Sequence, residues 1–163
     1  MTAEQLSIDI ENYHNMVYRL AFGCLGNRFD ADDVTQDVFI KLYRHKKPLL
    51  CDEHKKAFLV RTTVNQCKDI HKSAWFRKRT ELDESLPVHD NFDECEYELS
   101  EYIQKLKPHY RAVIFLHYYE GYTTSEIAKM LNVTQSTVTT RLSRARNQLK
   151  TQLITNKGRI IYE

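Results

Sequence analysis

The side chains best suited to chemistry in this chain are polar and cationic groups that recur between residues 135 and 146. The short polar ones are Gln135, Ser136, Thr137, Thr139, Thr140 and Ser143, and the cations are Arg141, Arg144 and Arg146. Amides and hydroxyls can hydrogen-bond to base edges, and guanidinium groups suit phosphates. On one helix, such a set predicts a face that contacts duplex DNA, although a solvated polar face has the same composition.

Two helices must position that face. Thr123 with Glu126 three residues later forms a capping box, and Thr134 offers a hydroxyl cap for a second helix. Asn132 and Val133 lie between them as the turn, and asparagine tolerates the left-handed conformation that such turns use. Apolar residues follow helical spacing on both segments, at Ile127, Leu131, Val138, Leu142, Ala145 and Leu149. The pattern predicts a helix-turn-helix, with the small Ala128 where the helices cross.

Composition indicates an all-α protein. The 163 residues are 42% hydrophobic, which allows one domain or two small ones, and only four glycines and three prolines interrupt the helical periodicity. Alternating apolar runs typical of strands are scarce.

Cysteine spacing argues against a metal site. The four cysteines, Cys24, Cys51, Cys67 and Cys95, form no Cys-x-x-Cys pair and follow no secretory leader, so a reducing cytoplasm is the expected compartment. Cys67 and His71 could share a metal, but further ligands at useful spacing are missing. We expect no metal, no cofactor and, without a long apolar run, no membrane insertion.

Charge divides the chain into three parts. Residues 1–79 carry 14 basic and 10 acidic side chains, residues 80–104 carry none and 9, and residues 105–163 carry 10 and 3. The expected organisation is a helical domain at 1–79, an acidic flexible linker at 80–101 and a second helical domain at 102–163.

In the first domain, helical spacing predicts helices over residues 8–25 and 31–45, the second capped by Asp30. Asp33, Gln36 and Asp37 cluster away from the apolar stripe of that second helix. Acidic residues near a helix start are favourable dipole partners, so spacing alone leaves open whether the cluster is a solvated face or a docking face.

A third helix is predicted from residue 55 or 56 towards 78. Its C-terminal half interleaves cations with aromatic rings, at Lys68, His71, Lys72, Trp75, Phe76, Arg77, Lys78 and Arg79. Such a surface can hold a nucleic-acid backbone and stack bases. The alternative is a basic helix end that complements its own dipole, with Trp75 and Phe76 in the core. In the second domain, helices are expected near residues 94–107 and over 110–119.

Three segments in order resemble bacterial sigma factors of the extracytoplasmic-function (ECF) group of the sigma-70 family. They are residues 30–43 (DADDVTQDVFIKLY), residues 58–69 (FLVRTTVNQCKD) and the helix-turn-helix at 123–146. The likeness covers about residues 13–153. It implies a sigma region 2-like domain, a linker and a region 4-like domain.

The resemblance also implies roles for particular residues. Asp33, Gln36 and Asp37 would bind a coiled coil of the RNA polymerase largest subunit. Contacts to the minus-ten element, including a base flipped from the non-template strand near Asn65, would come from Arg61, Asn65, Lys68, His71, Lys72, Trp75, Arg77 and Lys78. Contacts to the minus-thirty-five element would come from Thr124, Gln135, Ser136, Thr137, Thr139, Thr140, Arg141, Ser143, Arg144 and Arg146.

The expected function is therefore promoter recognition and melting with core polymerase, in the cytoplasm and without catalysis. The acidic linker would pass towards the RNA path, and an anti-sigma factor is an expected partner. A stand-alone helix-turn-helix activator or repressor is the competing hypothesis. An enzyme is disfavoured, because the sequence offers no Gly-rich phosphate loop, metal-ligand set or Ser/His/Asp arrangement.

Overall fold

The computed structural model describes residues 1–73, 99 and 101–162, with side chains to residue 156, and every regular element in those ranges is helical. This confirms the all-α class. The first three helices are α1 (Ala3–Leu25), α2 (Arg28–Arg44) and α3 (Asp52–Lys72). After a short helical stretch at residues 101–104 follow α4 (Pro108–Ile114), a π-helical turn (Phe115–Tyr119), α5 (Thr124–Leu131) and α6 (Gln135–Tyr162).

Helices α1, α2 and α3 pack into a first lobe around a core of aliphatic side chains. Val17, Leu20, Val38, Leu42 and Leu59 are each at most 1% exposed. Helix α1 starts five residues before the predicted position because the Thr2 side chain accepts a hydrogen bond from the Gln5 N–H. Gly26 ends it at φ +77°, a left-handed conformation that glycine adopts without steric cost.

The boundaries of the next two helices also differ from the sequence prediction. Asn27, not Asp30, caps α2: its Oδ1 accepts the Asp30 N–H at 2.8 Å, so α2 begins at Arg28. Helix α3 begins at Asp52 and ends at Lys72, where Ser73 is extended at φ −70° and ψ 133°. The predicted continuation to residue 78 is wrong at Ser73, and residues 74–78 lie outside the described ranges.

The second lobe contains α4, the π-helical turn, α5 and α6. The single helix predicted over residues 110–119 is instead an α-helix that widens at Phe115, where the Glu120 N–H bonds to the Phe115 carbonyl at 3.0 Å. The Phe115 ring lies so close to Gly23 of α1 that a Cβ there would come within 2.5 Å of it. The wider turn thus seats an aromatic ring of the second lobe against a side-chain-free position of the first.

A buried arginine joins the lobes. Arg111 of α4 is 5% exposed; its Nη1 donates to Gln104 Oε1 at 2.6 Å, and its Nη2 lies 3.1 Å from His71 Nε2 of α3. The same His71 nitrogen lies 2.8 Å from the Cys24 carbonyl oxygen of α1, and Gln104 donates to the Gly23 carbonyl. At the surface, Arg19 and Glu120 form a two-bond ion pair. The lobes therefore share a polar junction as well as an apolar one.

None of the helices in the described ranges is long and apolar enough to cross a lipid bilayer.

Candidate nucleic-acid and polymerase interfaces

The helix-turn-helix has the predicted caps and turn. Thr123 Oγ1 accepts the Glu126 N–H at 3.2 Å, while Glu126 Oε2 accepts the Thr123 N–H at 2.8 Å. Those hydrogen bonds also lower the pKa of the Glu126 carboxyl. Helix α5 ends at Leu131, and Asn132 takes the left-handed conformation with φ 55°. The expected capping box and turn are confirmed.

We expect Thr123→Ala to destabilise the protein by about 1 kcal/mol, because the Glu126 N–H at the start of α5 loses its acceptor. Thr123→Ser keeps the hydroxyl and serves as the matched control. Urea denaturation checks this: the midpoint should fall for the alanine variant and stay near wild type for the serine variant. Equal midpoints in all three proteins would contradict a structural role for the cap.

Helix α6 turns one face inward and the other outward. Val138, Leu142 and Ala145 are fully buried against α4 and α5. Most of the polar and basic residues predicted for base and phosphate contacts are exposed, namely Gln135, Ser136, Thr139, Thr140, Ser143, Arg144 and Arg146; Thr137 and Arg141 are half-buried. The helix-turn-helix therefore presents the predicted set of side chains together.

Local hydrogen bonds order part of that face. Thr134 Oγ1 accepts the Thr137 N–H at 3.1 Å, which confirms the predicted cap. Gln135 Nε2 donates to Thr124 Oγ1 at 3.0 Å, joining the starts of α5 and α6. Thr139 donates to the Gln135 carbonyl at 3.0 Å, so its hydroxyl is bonded to its own helix, whereas no bond of Thr140 or Ser143 to a protein group is seen in the described part of the chain.

A second candidate face lies on α3, where Arg61, Asn65 and Lys68 are three and four residues apart. Arg61 and Asn65 are exposed, and Lys68 is half-buried. Arg61 Nε donates to the Met130 carbonyl at 3.1 Å and its Nη2 to the Lys129 carbonyl at 3.4 Å, both at the end of α5. Asn65 lines a cavity of about 40 Å³ with Leu131 and Val133 of the turn. The helix-turn-helix thus contacts this face, and Arg61 and Asn65 remain exposed.

The other residues predicted to contact the minus-ten element lie in different settings. Lys72 is exposed at the end of α3. His71 is half-buried at the lobe junction, where its ring faces protein groups such as the Cys24 carbonyl. This burial lowers the pKa of its imidazole. Trp75, Arg77 and Lys78 lie outside the described residues, as do the aromatic stretch around them and most of the acidic linker.

Basic side chains from both lobes line one cleft. A cleft of about 380 Å³ is lined by Lys68 of α3, His109 of α4, and Arg141 and Arg144 of α6. The pKa of His109 is lowered by burial and further by the nearby charges of Arg141, Lys107 and Lys68. Phosphates are the natural ligands of such a set of cations.

The acidic cluster of α2 lies beside an apolar groove. Asp33, Gln36 and Asp37 are all exposed, and Asp37 Oδ2 lies 3.4 Å from Gln66 Nε2 of α3. Gln36 also lines a groove of about 600 Å³ between α1 and α2, together with Ile10, Phe39, Ile40 and Tyr43. Ile40 and Tyr43 are 45% and 49% exposed. These apolar groups were not among the predicted site residues, although their spacing after Gln36 on one helix was a signal for them.

The junction also contains two buried thiols. Cys24 and Cys67 are each 1% exposed. A hydrogen bond with Cys67 lowers the pKa of the Cys24 thiol, and the nearby Arg111 guanidinium acts in the same direction against burial. Among the described residues, no group of three or more His, Cys, Asp or Glu side chains could hold a metal ion.

Two sequence models of protein families match the chain. The family described as "Sigma-70 region 2" matches residues 10–78, and that described as "Sigma-70, region 4" matches residues 97–149. The first match contains α2 and α3, and the second contains the helix-turn-helix.

Individual relatives of this chain agree with the two matched family regions. The ECF RNA polymerase sigma factor SigE of Mycolicibacterium smegmatis is 30% identical over 154 residues, covering 88% of this chain, which spans only 60% of that relative's length. SigM of Mycobacterium tuberculosis is 29% identical, covering 84% of this chain and 71% of the relative. SigW of Bacillus subtilis is 29% identical, covering 88% and 86%.

Solved structures share the fold. The sigma factor RpoE of Bartonella quintana, in complex with the anti-sigma factor NepR, superposes with a TM-score of 0.70 at 19% identity over 93% of this chain and 98% of that one. CnrH, in complex with the cytosolic domain of CnrY, gives 0.63 at 21% identity over 94% and 90%. From its two matched regions and its relatives, the chain belongs to the ECF group of the sigma-70 family of transcription initiation factors, which are not enzymes.

Proposed function

We propose that this protein binds RNA polymerase core and directs it to promoters through two separate DNA-reading faces. One face, on α3, comprises Arg61, Asn65 and Lys68 and engages the minus-ten element. The other, on α6, engages the minus-thirty-five element. The observation that carries the proposal is that both faces occur in one chain with an exposed acidic and apolar surface on α2 suited to a protein partner.

Each face has chemistry matched to its role. Unpairing and flipping a base costs a few kcal/mol, which an amide such as that of Asn65 can offset by hydrogen bonds to the base, with cations holding the strand. The hydroxyls and arginines of α6 suit a major groove, where hydroxyls contact base edges and arginines contact phosphates or guanine. Acting with polymerase, the protein would work in the cytoplasm.

Run-off transcription with core polymerase and a genomic fragment library, with and without this protein, tests the proposal. New transcripts that start at discrete sites only when the protein is present are expected. A stand-alone repressor or activator would instead protect a palindromic site without polymerase. Protection of that kind, with no new transcripts, would overturn the proposal.

We also propose that an anti-sigma factor binds this protein and regulates it. Two sigma factors of the same fold, RpoE and CnrH, were solved in complex with NepR and with the cytosolic domain of CnrY. The exposed apolar side chains of α2, such as Ile40 and Tyr43, provide a surface that a repressor could cover.

Residues of α6 should separate into two kinds by their effects on DNA binding. We expect Thr140→Ala or Ser143→Ala to change the preferred upstream sequence, each good base contact being worth about 1–3 kcal/mol. Arg144→Ala should instead weaken binding to all sequences and lower the salt dependence by about one phosphate contact. Holoenzyme binding to randomised upstream elements, measured at several salt concentrations, checks both. A sequence-specific defect in Arg144→Ala with an unchanged salt slope would reverse this assignment.

A further inference from the structure

Two thiols that promoter recognition does not use lie together in the core. Cys24 of α1 and Cys67 of α3 are each 1% exposed. His71 comes one helical turn after Cys67 and shares its face of α3, and the His71 ring reaches the Cys24 carbonyl oxygen at 2.8 Å. This face of α3 therefore packs on the end of α1, and a hydrogen bond joins the two thiols.

A buried cation without an acidic partner lies near the thiols. Arg111 of α4 is 5% exposed, and the side chains that its terminal nitrogens contact, Gln104 and His71, carry no negative charge. In the described part of the chain, its Nε has no hydrogen-bond acceptor and no carboxylate forms an ion pair with it. An uncompensated buried charge is costly, so the junction favours an anion beside this guanidinium.

The thiols are the groups that can supply this anion, since both interact electrostatically with Arg111. The hydrogen bond with Cys67 lowers the pKa of the Cys24 thiol, and the guanidinium lowers it further against burial. The same hydrogen bond, together with burial, raises the pKa of Cys67. Cys24 is therefore the thiol that ionises first, and Cys67 then donates to its sulfur.

We propose that Cys24 and Cys67, beside the Arg111 guanidinium, are a redox-active dithiol that peroxides oxidise to a disulfide between α1 and α3. The Cys24 thiolate attacks one oxygen of hydrogen peroxide and the O–O bond breaks. Hydroxide leaves and takes up the proton that Cys24 had released, which leaves Cys24 as a sulfenic acid. This site requires neither DNA nor polymerase, so its tests are independent of the function proposed above.

The second step closes the disulfide. The Cys67 sulfur attacks the Cys24 sulfur, the S–O bond breaks, and hydroxide leaves with the Cys67 proton as water. In total, two thiols and one peroxide give one disulfide and two waters. Two electrons pass from the sulfurs to the peroxide oxygens, so no further oxidant is needed.

Burial does not by itself make Cys24 inert. Apolar surroundings suppress the reactivity of a cysteine because they disfavour the thiolate. At Cys24 a cation and a second thiol oppose that effect at the same point. Hydrogen peroxide is only slightly larger than water, so a brief local opening of the junction admits it.

A protein that keeps only the two junction thiols tests the proposal. Cys51→Ser combined with Cys95→Ser removes the other two of the four cysteines. Cys51 is exposed at the N-cap of α3, where serine is a favoured residue. After hydrogen peroxide treatment of this folded, full-length protein, intact-mass spectrometry should show the loss of two hydrogen atoms, reversed by dithiothreitol. Peptide mapping should join the Cys24 and Cys67 peptides.

The same protein unfolded in urea is the control for the reactivity of the reagent. If both thiols react in urea while the folded protein keeps them, the proposal is overturned. Disulfides that form only between molecules, seen on a non-reducing gel, would overturn it equally.

Replacing Cys67 separates the attacking thiol from the resolving one. In the Cys51→Ser/Cys95→Ser background, Cys67→Ser keeps a hydroxyl that can donate to the Cys24 sulfur but cannot form a disulfide. Oxidation should stop at the Cys24 sulfenic acid, and dimedone should trap about tenfold more of it than in the background protein. Absence of a dimedone adduct on Cys24 in this variant would contradict the proposed order of attack.

The contribution of the buried charge is tested by Arg111→Met, which removes the guanidinium and keeps an unbranched side chain. Arg44→Met, at an exposed position of α2, is the matched control. In the same two-thiol background, disulfide formation in Arg111→Met should be about tenfold slower near neutral pH, and its rate profile should move to higher pH, because less thiolate is present. Arg44→Met should leave both unchanged.

A purely structural role of Arg111 would have the opposite effect, because a loosened junction admits peroxide more easily. Equal or faster oxidation in Arg111→Met, with the rate profile at its original pH, would therefore overturn the proposal that this guanidinium makes a buried thiol reactive. Circular dichroism of each variant confirms that the helices are intact before oxidation.

Discussion

Asp33→Lys and Asp37→Lys are each expected to abolish co-purification of this protein with RNA polymerase core while leaving its helix content and unfolding midpoint unchanged. Both carboxylates are exposed on α2, and no buried contact of either is seen in the described residues. Reversing a charge inside a docked interface places like charges together, which costs several kcal/mol and corresponds to a loss in affinity of about a hundredfold or more.

Glu53→Lys is the matched control, since Glu53 is an exposed acid at the start of α3, outside both the cluster and the acidic linker. It should co-purify normally. Ile40→Ala, in the groove beside Gln36, is a companion variant expected to weaken binding without removing it, because apolar area is lost but no repulsion is added. Normal co-purification of both lysine variants would refute the assignment of the α2 cluster to polymerase.

The second large effect is expected at Asn65. Asn65→Ala should lower transcription from a fully duplex promoter by at least about tenfold, because the extruded base loses its hydrogen-bonding partner while the cost of unpairing stays the same. Polymerase binding should be normal, since Asn65 lies on α3 and not on the α2 cluster. Permanganate reactivity of thymines in the minus-ten region of holoenzyme complexes would show the lost opening directly.

A template with a pre-melted bubble separates melting from other defects. On such a template the unpairing cost is already met, so the variant should regain most of its activity. His54→Ala, at an exposed position near the start of α3, is the control and should behave as wild type on both templates. An equal defect of Asn65→Ala on duplex and bubble templates would contradict the base-pocket role.

Features set by local sequence could be predicted, and those set by contacts between the lobes could not. The capping box at Thr123, the left-handed Asn132 and the apolar stripe of α6 each depend on residues within a few positions of one another. The interactions that determine these features therefore lie entirely within the helix-turn-helix. The cap of α2 was missed by three residues because Asn27 and Asp30 are both good capping residues, and Asn27 is the one that accepts the N–H.

The junction illustrates what the sequence does not reveal. Arg111 reads as an ordinary surface cation, yet it is buried between α1 and α3. His71 was assigned to DNA from its basic neighbours, but helical phase turns it towards Cys24. The widening of the helix at Phe115 accompanies the packing of its ring against Gly23, a residue more than ninety positions earlier in the chain. Such pairings appear only when the lobes are placed together.

Helix α6 continues well past the DNA-reading face. Its 28 residues run unbroken from Gln135 to Tyr162, a rod of about 42 Å at 1.5 Å per residue. The residues predicted to contact DNA occupy only positions 135–146, and the helix continues for four more turns beyond them. Because the helix is unbroken, a partner bound beyond residue 146 would be joined to the DNA-reading face by continuous helix, without contacting DNA or the turn. A fluorophore placed there would report the orientation of the reading face as polymerase binds.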